Sequence, residues 1–476
     1  MKNVQKFAVK GNVVVCGAGS IGKGCLPLIR RHIDIGGDLI VVEQKKDGRA
    51  IAEKYGAEYV EKSINEENHK ELLGKYLTEG SFLMNMTNDV RSADLIALCS
   101  KKKSFYIDTC TEPWLGYYRD PKNQGERSTN YFFRKDLLDL REQLGSDNIT
   151  AVACVGANPG LASILVKQAL MNISKDVGHS DKEPQTKEEW AQLACDLNIH
   201  GIHVAERDFQ TMSQKRKKNT FYNTWSVSGF INEGIQPCEL GWGTMENWMP
   251  PTAKGFTFGS KCAIYLDRPG MMTRVRSWTP LEGPYLGYLI THNESISLSD
   301  YFSVKKNGEV VYRPTAFYAY HPSNEAMISL NEFTGHAFQE TMEERLMLEE
   351  IDDGIDELGV LLYGHKKNAY WFGSRLSIHD TRKRIDDQNA TSLQVTSTVL
   401  SAMKWAIENP KRGIVEAEDL DHKDILKFVE PYVSPLVGEY TDWTPVKDVP
   451  HTFVEPLDPQ HPWSFYNCLY NKPNKP

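Results

Sequence analysis

Two kinds of alternation divide the chain. Over the first third, short apolar or β-branched runs alternate with stretches whose apolar residues recur every three or four positions. The runs fall at 13–15, 39–42, 58–60, 82–86, 105–107 and 150–154, and helical periods lie between them, as at 90–101 and 130–144. This rhythm predicts an α/β fold with a doubly wound parallel sheet, whose ligands bind beyond the carboxyl ends of the strands. After about residue 160 the rhythm changes. Helical periods at 161–173 and 187–197 give way to strand-like runs at 201–205, 220–227, 262–266, 273–278, 285–292 and 310–312. Helical periods return at 322–332, 339–350 and 391–408. A second, α+β domain with a mixed or antiparallel sheet is expected over 159–385. The apolar stripe Leu393, Val395, Val399, Leu400, Met403 and Ile407 predicts a helix that returns to complete the first domain, 1–158.

The first strand runs into Gly17, Gly19 and Gly22, in G-x-G-x-x-G spacing. Ser20 and Ile21 open the helix that follows, and the next strand ends in Glu43. In this context the glycines predict a Rossmann-type dinucleotide site. Gly17 permits the tight turn, Gly19 admits the pyrophosphate, and Gly22 lets helix and strand pack closely. Glu43 can accept hydrogen bonds from ribose hydroxyls and would repel a 2′-phosphate, so the expected cofactor is NAD. Lys45 and Lys46 soften that preference. Gly17 to Lys23 also fits the start of a P-loop, but Gly24 stands where Ser or Thr would ligate Mg²⁺.

The turns after the later strands should open on the nicotinamide side of the crevice. They carry Asn85, Thr87 and Asp89, then Thr109 and Glu112, then Asn158 before Pro159. Glu112 and Asn158 are thus candidates to face a substrate.

Composition narrows the partners. A net charge of −8 over 476 residues disfavours nucleic acid and anionic membranes. No apolar run is long enough to span a bilayer. Met1–Lys10 lacks the apolar stretch of a signal peptide, and nine cysteines without C-x-x-C pairs fit reduced thiols in a cytoplasm. The C-terminal Asn-Lys-Pro-Asn-Lys-Pro predicts a frayed tail. No metal site is expected. His200 and His203 form H-x-x-H without further ligands nearby, which reads as structural.

The second domain places acids and an indole in unusual company. Glu206, Arg207 and Asp208 end a strand, and Trp225 stands among Asn223, Thr224 and Ser226. Glu233 and Glu239 flank a Gly-Pro segment, Glu294 follows His292, and Asp352, Asp353, Asp356 and Glu357 crowd one stretch. Singly, each suits a surface or a core, and the 350s acids suit a solvated face. Together, carboxylates, an indole and no metal motif suit an organic cation.

Longer blocks carry a resemblance. They include Asp108-Thr-Cys-Thr-Glu-Pro-Trp-Leu-Gly-Tyr, Gly156-Ala-Asn-Pro-Gly, His203-Val-Ala-Glu-Arg-Asp, Asn223-Thr-Trp-Ser-Val and Thr291-His-Asn-Glu-Ser-Ile-Ser. Nearly end to end, the chain resembles the bacterial homospermidine synthases of the saccharopine-dehydrogenase-like group. The resemblance implies condensation of two putrescines to sym-homospermidine and ammonia with NAD recycled, and a homodimer that binds diamines or polyamines. It implies Trp225 as the cation–π partner and Glu206 and Asn158 as amine-positioning residues. Glu112, Glu233, Glu294 and Asp356 would line the entrance and the second amine position, with His292 and Asp89 nearby. Glu43 stands where the family often has Asp. Two alternatives stay open on the residues alone. One is a saccharopine-type NAD-dependent dehydrogenase acting on an amino-acid imine, for which Arg207 and Arg274 could hold a carboxylate. The other is a non-catalytic NAD- and polyamine-binding protein.

Overall fold

The computed structural model describes residues 6–339, 342–447, 449 and 456–472. Residues 1–5, 340, 341 and 473–476, on which parts of the N-terminal, 339–350 and tail readings fall, lie outside the described residues. The first sheet has seven strands, ordered Ile414–Val415, Ala151–Val152, Phe105–Asp108, Phe82–Asn85, Val13–Cys16, Leu39–Glu43 and Glu58–Glu61. Every pairing in it is parallel. Val13–Cys16 is wholly buried, as a β-branched run covered on both faces should be. From it the chain runs outward through Leu39–Glu43 and Glu58–Glu61, then returns to Phe82–Asn85 on the other side. That reversal is the topological switch point, where a crevice opens.

Helix Ala390–Glu408 packs on helix Ser20–His32 and buries Leu393, Val399, Leu400 and Met403. Asn389 and Ser392 cap it reciprocally: each side chain accepts from the other's backbone N–H, at 2.8 and 2.9 Å. The Ile414–Val415 strand follows it onto the sheet edge.

The second sheet has ten strands and is mixed. Gly201–Asp208 lies near its centre with all eight residues buried. It pairs parallel with Thr315–His321 and antiparallel with Ile355–His365. Among the described residues, no helix is long and apolar enough to cross a membrane.

Two expected elements differ. The strand expected at 220–227 ends at Asn223, and helix Val227–Ile235 begins instead, its Gly229 N–H donating to the Ser226 hydroxyl at 3.0 Å. The β-rich Thr-Phe-Tyr run masked that cap. The helix expected at 339–350 is, in its described part, strand Glu343–Leu346, paired in parallel with Thr220–Asn223. Tertiary pairing there overrides helix-favouring Glu and Leu.

The glycine turn is held by space. At φ +91°, Gly17 would place a Cβ 2.7 Å from the Met86 carbonyl, and a Cβ on Gly22 would lie 2.0 Å from the Gly17 carbonyl. A Cβ on Gly19 would meet nothing within 4 Å. Gly22→Ala should therefore destabilise the fold by about 1–3 kcal/mol in urea unfolding. Gly19→Ala should leave the unfolding midpoint in place, yet weaken dinucleotide binding by roughly tenfold or more in calorimetry.

Candidate functional site

On the first sheet, the end of Leu39–Glu43 brings a carboxylate to the glycine turn. The Ala18 N–H donates to Glu43 Oε2 at 2.8 Å, and the Lys45 N–H to Oε1 at 2.9 Å. Helix Ser20–His32 starts at Gly19 without a side-chain cap, so its first N–H groups stay available, and the Ser20 hydroxyl has no partner. Uncapped N–H groups, open space over Gly19 and a fixed carboxylate fit a dinucleotide with unphosphorylated ribose. Asn85 and Thr87 shape the neighbouring turn: the Thr87 hydroxyl donates to Asn85 Oδ1 at 2.5 Å, and the Thr87 methyl packs against Gly17. Thr109 abuts Gly156.

Strand register builds the opposite wall. Tyr318, Tyr320, Glu206, Asp208 and Asp356 share one face of the second sheet, because Tyr320 pairs with Glu206 and Asp208 with Asp356. The Tyr318 hydroxyl donates to Glu206 Oε2 at 2.7 Å, and the Trp225 indole N–H to the Tyr320 hydroxyl at 3.0 Å. The rings of Tyr318 and Tyr320 stack at 5.2 Å. His292 lies 4.3 Å from the Tyr318 ring, between Glu233 at 3.1 Å and Glu294 at 3.2 Å.

The turns of the first sheet reach this wall. Asn158 Nδ2 donates to Glu206 Oε2 at 3.0 Å. Asn88, in the turn after Phe82–Asn85, donates to the hydroxyls of Ser226 and Ser228 at 3.4 Å. Asp89 and Glu233 both act electrostatically on Glu112. The crevice thus gathers Asn158, Glu206, Trp225, Glu233, His292, Glu294 and Asp356, with Asp89 grouped beside Glu112.

Burial raises the proton affinity of Glu206, Glu112 and Asp356. It lifts Glu206 to about 8, a rise sharpened by Asp208 and opposed by the Tyr318 hydroxyl. Burial and then Asp89 lift Glu112 to about 8. Burial, Glu206 and Asp208 push Asp356 well up. For His292, burial pulls downward, but Glu294 and Glu233 outweigh it and hold the imidazolium up to about 10. Glu112 Oε2, Glu294 Oε2 and Asp356 Oδ1 are buried acceptors without a donor. Unmet acceptors of this kind can accept hydrogen bonds from ammonium groups.

Burial corrects one expectation and places two further residues in structural roles. The 350s acids do not form one solvated face: Asp352 and Asp353 are exposed, whereas Asp356 and Glu357 are fully buried. Glu239 caps helix Asn130–Leu144, accepting from the N–H groups of Asn130 and Tyr131 and from the Thr291 hydroxyl. His203 is buried against Phe317 and contacts the Ser277 hydroxyl at 3.0 Å. Tyr318, Tyr320 and Asn88 were missed. The aromatic run Phe317-Tyr-Ala-Tyr carries enough β-propensity to have exposed the two tyrosines.

Comparison with known proteins agrees with this architecture. Residues 13–152 match the saccharopine dehydrogenase NADP binding domain, and residues 156–442 match the saccharopine dehydrogenase C-terminal domain. The homospermidine synthase of Blastochloris viridis is 49% identical over 466 residues, covering 97% of this chain and 98% of the relative. That of Mesorhizobium japonicum is 48% identical over 469 residues, covering 97% and 96%. The crystal structure of the homospermidine synthase from Legionella pneumophila in complex with NAD superposes with a TM-score of 0.91 at 41% identity, covering 98% of this chain and 99% of that one. Saccharopine dehydrogenase from Saccharomyces cerevisiae, at 9% identity and a TM-score of 0.51, shares the fold alone. With half its residues shared with such relatives along nearly its full length, this chain belongs to the homospermidine synthase family.

Proposed function

We propose that this protein is an NAD-dependent homospermidine synthase, converting two putrescines to sym-homospermidine and ammonia. The observation that carries the reading is the meeting of Asn158 with Glu206 beneath the Trp225–Tyr320 wall. NAD, when bound over Gly19 and Glu43, supplies the hydride acceptor and then the hydride donor, and so is regenerated each cycle. Carbon beside a nitrogen gives up hydride readily once that nitrogen is neutral. Glu206, ionised above about pH 8, takes the ammonium proton. Asn158 and Tyr318 hold its carboxylate in place. The Trp225 face stabilises the substrate iminium that results. Glu233, Glu294 and Asp356 receive the remaining ammonium groups.

Arginine placement weighs against an amino-acid substrate. Arg207 alternates with Glu206 onto the opposite sheet face, where it lies over Phe209 and pairs with Glu282 at 3.5 Å. Arg274 stacks on Tyr288 and donates to the Leu286 carbonyl. A homodimer in the cytoplasm belongs to the same proposal; the nine free cysteines support a reducing compartment.

Product analysis tests the reading. Putrescine with catalytic NAD⁺ should give homospermidine and ammonia without net NADH by mass spectrometry and absorbance. Accumulating NADH would instead indicate a dehydrogenase, and absence of product a binding protein. Trp225→Ala should lower kcat roughly 30-fold, corresponding to about 2 kcal/mol, with Trp225→Phe between it and wild type. Equal activity of the two variants would remove the cation–π role. In wild type kcat/KM should rise with pH through about 8, since Glu206 must be ionised to act. Glu206→Gln should abolish that limb and cut kcat by about 10²–10⁴.

A further inference from the structure

Asp208 has no place in the scheme above, yet it is completely buried two residues from Glu206 on the same strand face. Its carboxylate is elaborately held. Oδ1 accepts from the Gln210 backbone N–H at 2.8 Å and from Gln210 Nε2 at 3.1 Å. Oδ2 accepts from the Thr224 hydroxyl at 2.7 Å. Thr224 is the residue before Trp225. Its carbonyl is held from the other side by Asn389 Nδ2 at 2.6 Å, at the start of the returning helix. The residue that precedes the indole is thus held twice, through its hydroxyl by Asp208 and through its carbonyl by the helix cap.

The cross-strand partner of Asp208 is Asp356. Two carboxylates directly opposed on a buried face cannot both be charged at low cost. Their hydrogen bonds decide between them. Asp208 has three donors, which favour its anion, while Asp356 has one, the Thr391 hydroxyl at 2.5 Å, and an orphaned Oδ1. Burial raises the proton affinity of both carboxyls, but the donors and Arg207 favour the negative charge on Asp208 and leave the proton to Asp356, which is pushed well up. We propose that Asp208 is the positioning residue that couples the aromatic wall to the acid–base carboxylate: through Thr224 it fixes the Trp225 indole, and through its charge it sets the basicity of Glu206.

The groups facing Glu206 are Tyr318 and Tyr320 from one neighbouring strand, Asp356 from the other, His292 from beyond Gly283–Ile290, and Asn158 from the first sheet. Of these, Tyr318, His292 and Asn158 lower its proton affinity, whereas Asp208, two residues along the same strand, raises it. Arg207 acts on Asp208 from the same strand.

The inference rests on the synthase reading, and its test separates the two. Homospermidine formation is followed against pH and putrescine concentration for wild type, Asp208→Asn and Thr224→Val. Asp208→Asn keeps the shape and removes the charge. Its acidic limb of kcat/KM should move about one pH unit lower, with KM within about threefold of wild type. Thr224→Val keeps every charge and loses the tether. It should raise KM roughly tenfold and leave the acidic limb in place. A limb unmoved in Asp208→Asn, or a KM unmoved in Thr224→Val, overturns the proposal while wild type still makes product. No product from wild type ends the underlying reading, and this one with it. Should Asp208→Asn fail to fold, Asp208→Glu, which retains the charge, must keep the wild-type limb, and a shifted limb overturns the proposal.

Discussion

Carboxylates buried without a direct ion pair among the described residues are the constraint around which this molecule is arranged. Three of them, Glu206, Asp208 and Asp356, lie within one patch of sheet and are no more than 2% exposed. Desolvation of an unpaired anion is costly, and proteins meet that cost with neutral donors, retained protons or a ligand. All three occur here. Hydroxyls and amides of Tyr318, Thr224, Gln210, Thr391 and Asn158 supply donors. Raised proton affinities keep part of the cluster neutral. Acceptors still lacking a donor await one from outside. A diamine carrying positive charge at both ends answers that demand, which an amino acid with its own carboxylate would not.

The same patch depends on contacts that bridge the two sheets. Asn158 and Asn88 come from the first sheet and bond to Glu206, Ser226 and Ser228 of the second half. Glu239, from the second sheet, caps the helix Asn130–Leu144 that follows the first sheet's turns. Further along that helix, Arg134 lies buried between Glu416 and Asp300, at 2.7 and 3.0 Å. Charged groups thus hold the halves in register on the side away from solvent, where salt screens them least. An active site composed across such a seam needs this rigidity, because displacement of about 1 Å would break its hydrogen bonds.

What the sequence made legible follows the physics of each pattern. Parallel strands buried on both faces print as plain apolar runs, so Val13–Cys16, Leu39–Glu43 and Phe82–Asn85 were visible, and glycine spacing located the nucleotide turn. Antiparallel and mixed strands hide better. Ile355–His365 and Asn368–Ser377 went unread because their buried acids, Asp356 and Glu357, resemble a solvated surface until a partner strand is known. Trp225, Glu206 and Asn158 could be named from family resemblance. Tyr318, Tyr320 and Asp208 could not, since their importance lies in cross-strand register, which no local pattern encodes.

The edge strand Ile414–Val415 carries one more consequence. It completes a sheet whose other six strands lie before residue 153. A ribosome must therefore release nearly the whole polypeptide before the amino-terminal half can close its hydrogen-bonding ladder. Until then Ala151–Val152 is an open flank, available to chaperones and to mispairing. The cofactor-holding half thus receives its last strand only after the amine-holding half has been synthesised.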